Sequence, residues 1–555
     1  MLSKKAVIVV CTLYFALLQI GIGQSSFESW HTANPNKEDY PGISVAQMYQ
    51  YLQGRKSQKT IVAVIDSGVD INHEDLKEVI WVNRHEIPNT KIDDDKNGYV
   101  DDINGWNFIG GKDGSHVAAD NLEITRHFRT LKHKFQSADP SKIKGKDKKS
   151  YQEYLDLKTK IESEQKSAEK NLEETEKYEY ILSNALGALK KALGNRSLTQ
   201  ENVEKLDEKD NIALTIGKQI FSQISSMGEE IPKDIDSLTD LIMNDIREQK
   251  HYFETKAKYQ YNPDYDSRKV VGDDYGDLTN RYYGNNDVVG PDPSHGTHVS
   301  GIIAASRLNE KGIQGIADNV EIMVLRTVPD GDERDKDVAN AIRYAVDNGA
   351  RIINMSFGKG LSPVKKYVDD ALKHAMKHDV LLVHASGNDA SDNDNVASFP
   401  TDKFSKAGLF GKKYADNWLE VGASSFQKDE DLVADFSNYG QKNVDIFAPG
   451  VSIYSTNPGS TYKAADGTSF AAPVVAGVAA VIRSYFPSLS ANQVKEAILS
   501  GGSKYNSLVK KPGTEEMVKL SDISVTGAVI NAYEAVRKAN FIKQSKGKES
   551  APSRA

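Results

Sequence analysis

The chain has 555 residues, which is enough for a sizeable core and more than one domain. Charged residues make up 27% of it, and its formal net charge of −8 gives no indication of nucleic-acid binding. The only cysteine, Cys11, lies near the N-terminus. Intramolecular disulfides are therefore excluded, and bound metal ions become the favoured stabilising elements.

The chain begins with a basic segment, followed by an apolar run over 6–22 that ends in small residues. This order is typical of a secretory signal peptide, so we expect cleavage after Gly23 and export to the periplasm, the cell surface or the medium. A transmembrane anchor is the alternative, because the run is near the lower length limit for a span. Val10 precedes Cys11 where a lipoprotein signal needs a small residue, which argues against a lipid anchor. No other segment is expected to cross a membrane.

Residues 120–265 are rich in Lys and Glu and are predicted to be helical. From 146 to 186 there is neither Gly nor Pro, and apolar or small side chains recur at helical steps: Tyr154, Leu157, Ile161, Ala168, Leu172, Thr175. We expect this helix to stop near Gly194, a second to open with a capping box of Ser197 and Gln200, and a third to run over about 232–254. The segment is interpreted as a helical hairpin or small bundle, with a partner-binding or regulatory arm as the alternative.

Elsewhere, short apolar runs alternate with helical stretches. Strands are predicted over 60–65, 320–325, 352–355, 380–384, 419–423 and 444–448, and helices over 337–348, 364–378 and 469–485. The alternation indicates an α/β fold whose mostly parallel sheet has helices on both faces. Residues 24–119 and 266–540 would form this domain, the helical segment would be an insertion, and 541–555 would be a disordered tail.

Three polar motifs follow strands or open helices, where the carboxyl edge of a parallel sheet gathers active groups. They are Asp66-Ser67-Gly68, His295-Gly296-Thr297-His298 and Gly467-Thr468-Ser469-Phe470-Ala471-Ala472-Pro473. Singly, each residue has an ordinary explanation as a turn, cap or helix-start residue. Together they supply a hydroxyl nucleophile, an imidazole base and a carboxylate that orients the base.

In this order the three motifs resemble those of the subtilisin-like serine protease family over about 55–110 and 285–500. The resemblance implies a serine endopeptidase acting on peptides or proteins through an acyl-enzyme, with Ser469 as nucleophile, His295 as base and Asp66 as its orienting residue. It also implies that Asn388, in Ser386-Gly387-Asn388, donates to the oxyanion together with the backbone N–H of Ser469. His298 is the rival base, and by motif it is the helix residue one turn on.

The resemblance also implies a substrate groove in which an extended peptide pairs with the backbone. The two walls of the pocket beside the scissile bond would be formed by Ser356, Phe357 and Gly358, and by Ala385, Ser386 and Gly387. Their small residues leave room for a large apolar side chain. Asp389 would instead attract a basic one, and the sequence leaves both open.

Calcium is the expected structural cofactor, at two sites. Oxygen-bearing residues alternate around a glycine turn at Asp93, Asp95, Asn97 and Asp102, as in calcium loops, although a solvated acidic turn is the alternative. Asp75 lies nine residues after Asp66, where the family places a calcium ligand. Asn309 would be its partner.

Two features depart from the family pattern. Asp66 and His295 are 229 positions apart, so the helical insertion must leave the sheet and return to nearby points. About 36 residues separate the signal from Thr60, which is too short for the usual folded propeptide. The insertion is therefore expected to cover the cleft, support folding or bind a partner. A catalytically silent scaffold and a zymogen that is active only after the insertion is cut are the rival interpretations.

Overall fold

The computed structural model describes residues 27–226, 232–309, 311–406 and 411–549. The predicted signal peptide and residues 550–555 lie outside them. The described chain divides into a sheet unit, built from Gly23–Glu123 and Asp266–Ala555, and a helical unit over Ile124–Tyr265.

The sheet unit is organised around a nine-stranded sheet with the order β10-β13-β7-β6-β5-β4-β1-β3-β2. All adjacent pairs are parallel except β10 with β13. The strands are β1 Thr60–Asp66, β2 Gly105–Asn107, β3 Val320–Arg326, β4 Ile352–Met355, β5 Leu381–Ala385, β6 Trp418–Ser424, β7 Ile446–Pro449, β10 Ser503–Lys504 and β13 Ala528–Val529. Two small antiparallel pairs join β8 Ile453–Asn457 to β9 Thr461–Ala465 and β11 Val509–Lys510 to β12 Met517–Val518.

Helices cover both faces of this sheet. Alternate residues of β1 enter different cores, with Val62 and Val64 in one and Ala63 and Ile65 in the other, as a two-sided parallel sheet requires. The helices of the unit are α1 Val45–Leu52, α7 Arg268–Val271, α8 Ser294–Ala304, α9 Asp335–Asp347, α10 Lys365–Lys377, α11 Thr468–Tyr485, α12 Ala491–Ser500 and α13 Ala532–Glu549. The predicted fold class is confirmed.

Among the described residues, α11 alone is long and apolar enough to cross a membrane, but 89% of its apolar window is buried inside the protein. It is the core helix beneath β4 to β7. The last helix, α13, extends to Glu549, so the disordered tail expected from 541 does not begin there.

The helical unit contains α2 Glu123–Phe135, α3 Asp147–Leu193, α4 Gln200–Glu204, α5 Ile212–Ser226 and α6 Ile235–Thr255. The helix α3 is 47 residues long, and every seventh residue is buried along it: Tyr154, Ile161, Ala168, Thr175, Leu182, Leu189. It packs against α5 and α6, and a seven-residue repeat is the pattern of a coiled-coil seam. Thr199 caps α4 by accepting from the Asn202 amide, so the predicted cap at Ser197 is wrong by two residues.

Candidate active site

Asp66 is the last residue of β1, a central strand paired with β3 and β4. Its carboxylate is 1% exposed and accepts hydrogen bonds at Oδ1 from the Ser67 amide at 2.8 Å and from His295 Nδ1 at 2.7 Å. Since the carboxylate accepts from Nδ1, it holds the neutral imidazole in the tautomer whose Nε2 lone pair is free.

His295 lies in the first turn of α8 and keeps 38% of its side chain exposed. Burial lowers its pKa, but the charge and hydrogen bond of Asp66 outweigh burial and raise the pKa above the usual value. His298 differs, because its Nε2 donates to the Ile453 carbonyl at 2.9 Å and burial lowers its pKa to about 3. Of these two histidines, His295 alone has the exposure and the carboxylate partner of a base.

Ser469 is the second residue of α11, and its hydroxyl donates to the Ser356 carbonyl at 3.1 Å. The Ser356 hydroxyl donates in return to the Ser469 carbonyl at 2.7 Å. Pro473 lies inside the helix and has no N–H for the carbonyl four residues earlier, which is that of Ser469. Ser356 therefore satisfies the acceptor that the proline leaves open.

Asn388 lies just beyond β5, beside the start of α11. Its Oδ1 accepts from both the backbone N–H and the hydroxyl of Thr468, each at 2.9 Å. These two bonds fix which way the amide points, so that Nδ2 is the remaining donor. Within the described chain Nδ2 donates to no protein acceptor, as an oxyanion donor requires before substrate binds.

The two predicted substrate walls follow neighbouring parallel strands, β4 and β5. The first contains Ser356, Phe357 and Gly358, and the buried Phe357 ring joins the hydrophobic core. The second contains Ala385, Ser386 and Gly387. The two hydrogen bonds between Ser356 and Ser469 attach the first wall to the start of α11.

Asn438 was not recognised in the sequence as part of this region. Its Nδ2 donates to the Ser386 carbonyl at 3.0 Å, and its Oδ1 accepts from the Asp389 amide at 2.9 Å. Gly387 donates to the Thr468 hydroxyl at 3.1 Å and has φ 110°, a value that favours glycine. Asn438 therefore holds the second wall in place through these two hydrogen bonds.

Only part of the predicted acidic loop converges. Carboxylate oxygens of Asp95, Asp102 and Glu86 lie within 4.8 Å of one another. Asn97 donates from its side chain to Asp95 and Asp102, as Asn83 does. Burial raises the pKa of Asp102 to about 6, against the opposing hydrogen bonds from Tyr344, Asn97 and Asn83.

The carboxylate of Asp93 instead accepts from the backbone amides of Asn97 and Gly98, so it caps the turn. Glu86 and Asn83, which the sequence analysis missed, precede the loop and reach it through the fold. A search for acidic or amide residues within ten positions on either side of the loop would have included both.

The second predicted pair is in contact. Asn309 donates to Asp75 Oδ1, and the Tyr462 hydroxyl donates to Asp75 Oδ2 at 2.9 Å. Asp75 is fully buried. The oxygen and nitrogen of an asparagine amide are interchangeable by rotation, so Asn309 can also present an oxygen here.

Comparisons with known proteins identify the family of the chain. Residues 57–511 match the model of the subtilase family. Subtilisin DY of Bacillus licheniformis is 37% identical over 210 residues, which are 37% of this chain and 69% of that protein. A thermophilic serine proteinase of Bacillus sp. (strain AK1) is 36% identical over 227 residues, 40% of this chain and 49% of that protein.

The cell wall-associated protease of Bacillus subtilis (strain 168) is 35% identical over 223 residues, which are 40% of this chain and 22% of that protein. The solved structure of the prenylagaramide maturation protease PagA aligns with 44% of this chain and 82% of its own, at 28% identity and a TM-score of 0.36.

Proposed function

Because the chain belongs to the subtilase family and is a serine endopeptidase of that family, we propose that it cleaves peptides and proteins through an acyl-enzyme on Ser469. The observation that carries the proposal is the 2.7 Å hydrogen bond between His295 and Asp66, at the sheet edge where α11 presents Ser469. A hydroxyl becomes an effective nucleophile only when an oriented base accepts its proton.

The proposed reaction begins when the Ser469 hydroxyl turns from the Ser356 carbonyl toward His295 Nε2. His295 takes the proton as Ser469 Oγ attacks the scissile carbonyl, and Asp66 stabilises the imidazolium that forms. The imidazolium then gives its proton to the leaving amine, which breaks the peptide bond. Water, deprotonated by His295, hydrolyses the ester and restores the hydroxyl.

The negative oxygen that forms during attack would be bound by Asn388 Nδ2 and the Ser469 backbone N–H. The two bonds from Thr468 to Asn388 Oδ1 support this role, because they preorganise the amide before substrate arrives. The first amide groups of α11 and the positive end of its dipole favour the same charge.

The substrate would bind as an extended strand between the two walls, with the side chain before the scissile bond between Ser356–Gly358 and Ala385–Gly387. A digest of a peptide library by the purified protein distinguishes a large apolar preference from a basic one, which Asp389 would produce. Cut sites after Phe, Tyr or Leu support the first and cut sites after Lys or Arg the second.

Calcium is the proposed structural cofactor. Carboxylates of Glu86, Asp95 and Asp102 form a compact, largely buried set of hard oxygen ligands, and such a set suits calcium. Asn97, after a rotation of its amide, would add a fourth oxygen. Asp75 and Asn309 would form the second site. An ion at the first site would neutralise the three carboxylates, which otherwise repel one another.

We also propose export, which would place the enzyme in the periplasm, on the surface or in the medium. A charged and apolar N-terminal segment supports it, and one relative is named a cell wall-associated protease. N-terminal sequencing of the protein from culture fractions tests it. A chain in the cell extract that still begins at Met1 would contradict it.

A fluorophosphonate probe tests the catalytic assignment, since it reacts with an activated serine and reports the modified residue by mass spectrometry. We expect labelling at Ser469 and none in the Ser469→Ala variant, together with loss of peptide hydrolysis. Ser356→Ala is the matched control, because the label must remain on Ser469 there. An unlabelled wild-type protein would favour the silent scaffold, and labelling that needs a cut in 124–265 would favour the zymogen.

A further inference from the structure

Lys359 is a buried cation immediately after the first substrate wall. Only 2% of its side chain is exposed, and its ammonium donates to Glu123 Oε2 at 2.8 Å and to the Glu333 carbonyl at 2.7 Å. It also forms an ion pair with Asp335 at 2.9 Å. Both carboxylates are as inaccessible as the lysine, so all three N–H donors are used without solvent.

The backbone of Lys359 also fixes the wall. Its N–H donates to the Phe399 carbonyl at 3.1 Å, and the Phe399 N–H donates to the Lys359 carbonyl at 2.8 Å. At the other end of the wall, Ser356 is bonded to Ser469. The segment from Ser356 to Lys359 is therefore held at the nucleophile on one side and at the buried ion cluster on the other.

The same cluster contains the beginning of the helical insertion. Glu123 is the first residue of α2, and the chain continues from it into the helical unit. Just before it, Asp120 forms two bonds with Arg334, at 2.7 and 3.1 Å. Where the chain returns, Arg268 pairs with Asp337 at 2.7 Å.

Residues 333–337 are thus the common partner of both ends of the insertion and of Lys359. The cluster places one lysine between two buried carboxylates. A buried carboxylate without its cation is costly, so the wall and the first residue of α2 cannot separate independently.

We propose that Lys359 is a positioning residue that ties the wall of the substrate pocket to the beginning of the helical insertion. The proposal rests on the proposed function and extends it: occupancy of the pocket depends on Glu123, a residue that does not touch substrate. A displacement of Glu123 is then transmitted to Gly358, and it changes the choice of side chain at the scissile bond more than the chemistry at Ser469.

The test uses the full chain with Lys359→Met, which keeps the side-chain length and removes the charge, and with Glu123→Gln, which keeps the shape of the side chain and removes the carboxylate charge. Steady-state rates are measured on peptides that differ only in having Ala, Leu or Phe before the scissile bond. For Lys359→Met we expect kcat/KM on the Phe and Leu peptides to fall at least about tenfold more than on the Ala peptide, mainly through KM. Glu123→Gln should give the same ranking with a smaller loss.

Labelling of Ser469 by a small fluorophosphonate without a pocket-filling group should stay within about threefold in both variants, because the nucleophile is intact. Lys366→Met is the matched control, since its pair with Asp370 is exposed, and it should change no ratio. Lys359→Arg should restore part of the lost preference. A uniform loss over all three peptides and the label, or unchanged ratios in Glu123→Gln, would overturn the proposal. Failure of the proposed function would instead show as an unlabelled wild-type Ser469.

Discussion

The two units of this protein place their charges differently. In the helical unit, ion pairs such as Lys177–Glu173 lie on the helix surface, with both side chains more than 60% exposed. In the sheet unit, pairs such as Arg334–Asp120 are buried, with 6% and 3% of the side chains exposed. Exposed pairs contribute little, whereas a buried charge requires its partner. Charge therefore keeps the surface of one unit hydrated and fixes the loops of the other.

Their cores differ in the same way. The long helix α3 buries a seam that repeats every seventh residue, and Leu182 and Leu189 lie at its most apolar end. The core of the sheet unit lies on two faces and leads to one edge, where Asp66 is bonded to His295 and the His295 ring lies 5.4 Å from that of Phe470, the residue after Ser469. The proposed activity depends on particular side chains in the sheet unit. The stability of the helical unit depends on the seven-residue repeat of buried side chains along α3.

Removing one buried charge in the sheet unit should have the largest effect. Asp66→Asn keeps the shape of the side chain but no longer holds the tautomer of His295 or stabilises its cation, so kcat/KM should fall about 10⁴-fold. Glu173→Gln removes an exposed carboxylate of the helical unit and should leave the rate unchanged. Peptide hydrolysis by the two purified variants measures both effects, and similar rates in both would contradict the proposed role of Asp66.

Asp66→Asn should also alter the dependence of kcat/KM on pH. Asp66 raises the pKa of His295, and only the neutral imidazole can accept a proton, so kcat/KM of the wild type should fall as pH decreases through that pKa. Without the carboxylate the pKa falls, and the acid limb of the residual activity should move to lower pH. An acid limb at the same pH in both proteins would show that a group other than His295 titrates there.

Stability should show the next largest difference. Arg334→Met leaves the buried Asp120 carboxylate without the guanidinium, and we expect a loss of about 3–5 kcal/mol in the free energy of unfolding of the sheet unit. Lys177→Met, on the exposed surface of α3, should cost no more than about 1 kcal/mol. Denaturant unfolding gives both free energies. Ser469 labelling reports the unfolding of the sheet unit, and circular dichroism of the helices reports that of the helical unit. Equal losses would remove the contrast between the units.

A seam residue should destabilise the helical unit alone. Leu189 is fully buried against α5 and α6, and Leu189→Ala should cost about 2–5 kcal/mol. Limited proteolysis within 124–265 reports this loss, with the exposed Tyr180→Ala as control. If fluorophosphonate labelling of Ser469 falls in parallel, the two units are not independent in stability.

The smallest effect is expected from removing metal. Calcium that binds only the folded protein stabilises it by mass action, by about 2.7 kcal/mol at a free concentration one hundred times the dissociation constant. A chelator should lower the melting temperature of the sheet unit by several degrees and spare the helical unit. Glu86→Gln should reduce the sensitivity to chelator. An unchanged melting temperature would return the loop to a solvated acidic turn.

Local patterns predicted most of the fold. The apolar runs that became β1, β3 and β4 end where a polar residue or a glycine interrupts them, and periodicity located α3 because it lacks Gly and Pro. The helix cap was placed at Ser197 rather than Thr199, since two hydroxyls with the same capacity lie close together.

Long-range contacts were not predictable in the same way. Asp95 and Asp102 stood out by spacing, but Glu86 joins them only through the fold of the loop. The charge of Lys359 is visible in the sequence, whereas its partner Glu123 is 236 positions away. A sequence identifies which residues carry charge, and burial decides which of them must pair.

The proline in α11 has a mechanical consequence. Because Pro473 cannot donate, the Ser469 carbonyl stays bonded to the Ser356 hydroxyl whether or not the Ser469 hydroxyl is bonded to the Ser356 carbonyl. Turning the hydroxyl toward His295 breaks one of these two links and leaves the other. The first movement of the proposed reaction would therefore need only a rotation of the Ser469 side chain, because the bond from the Ser356 hydroxyl to the Ser469 carbonyl does not involve the hydroxyl that turns.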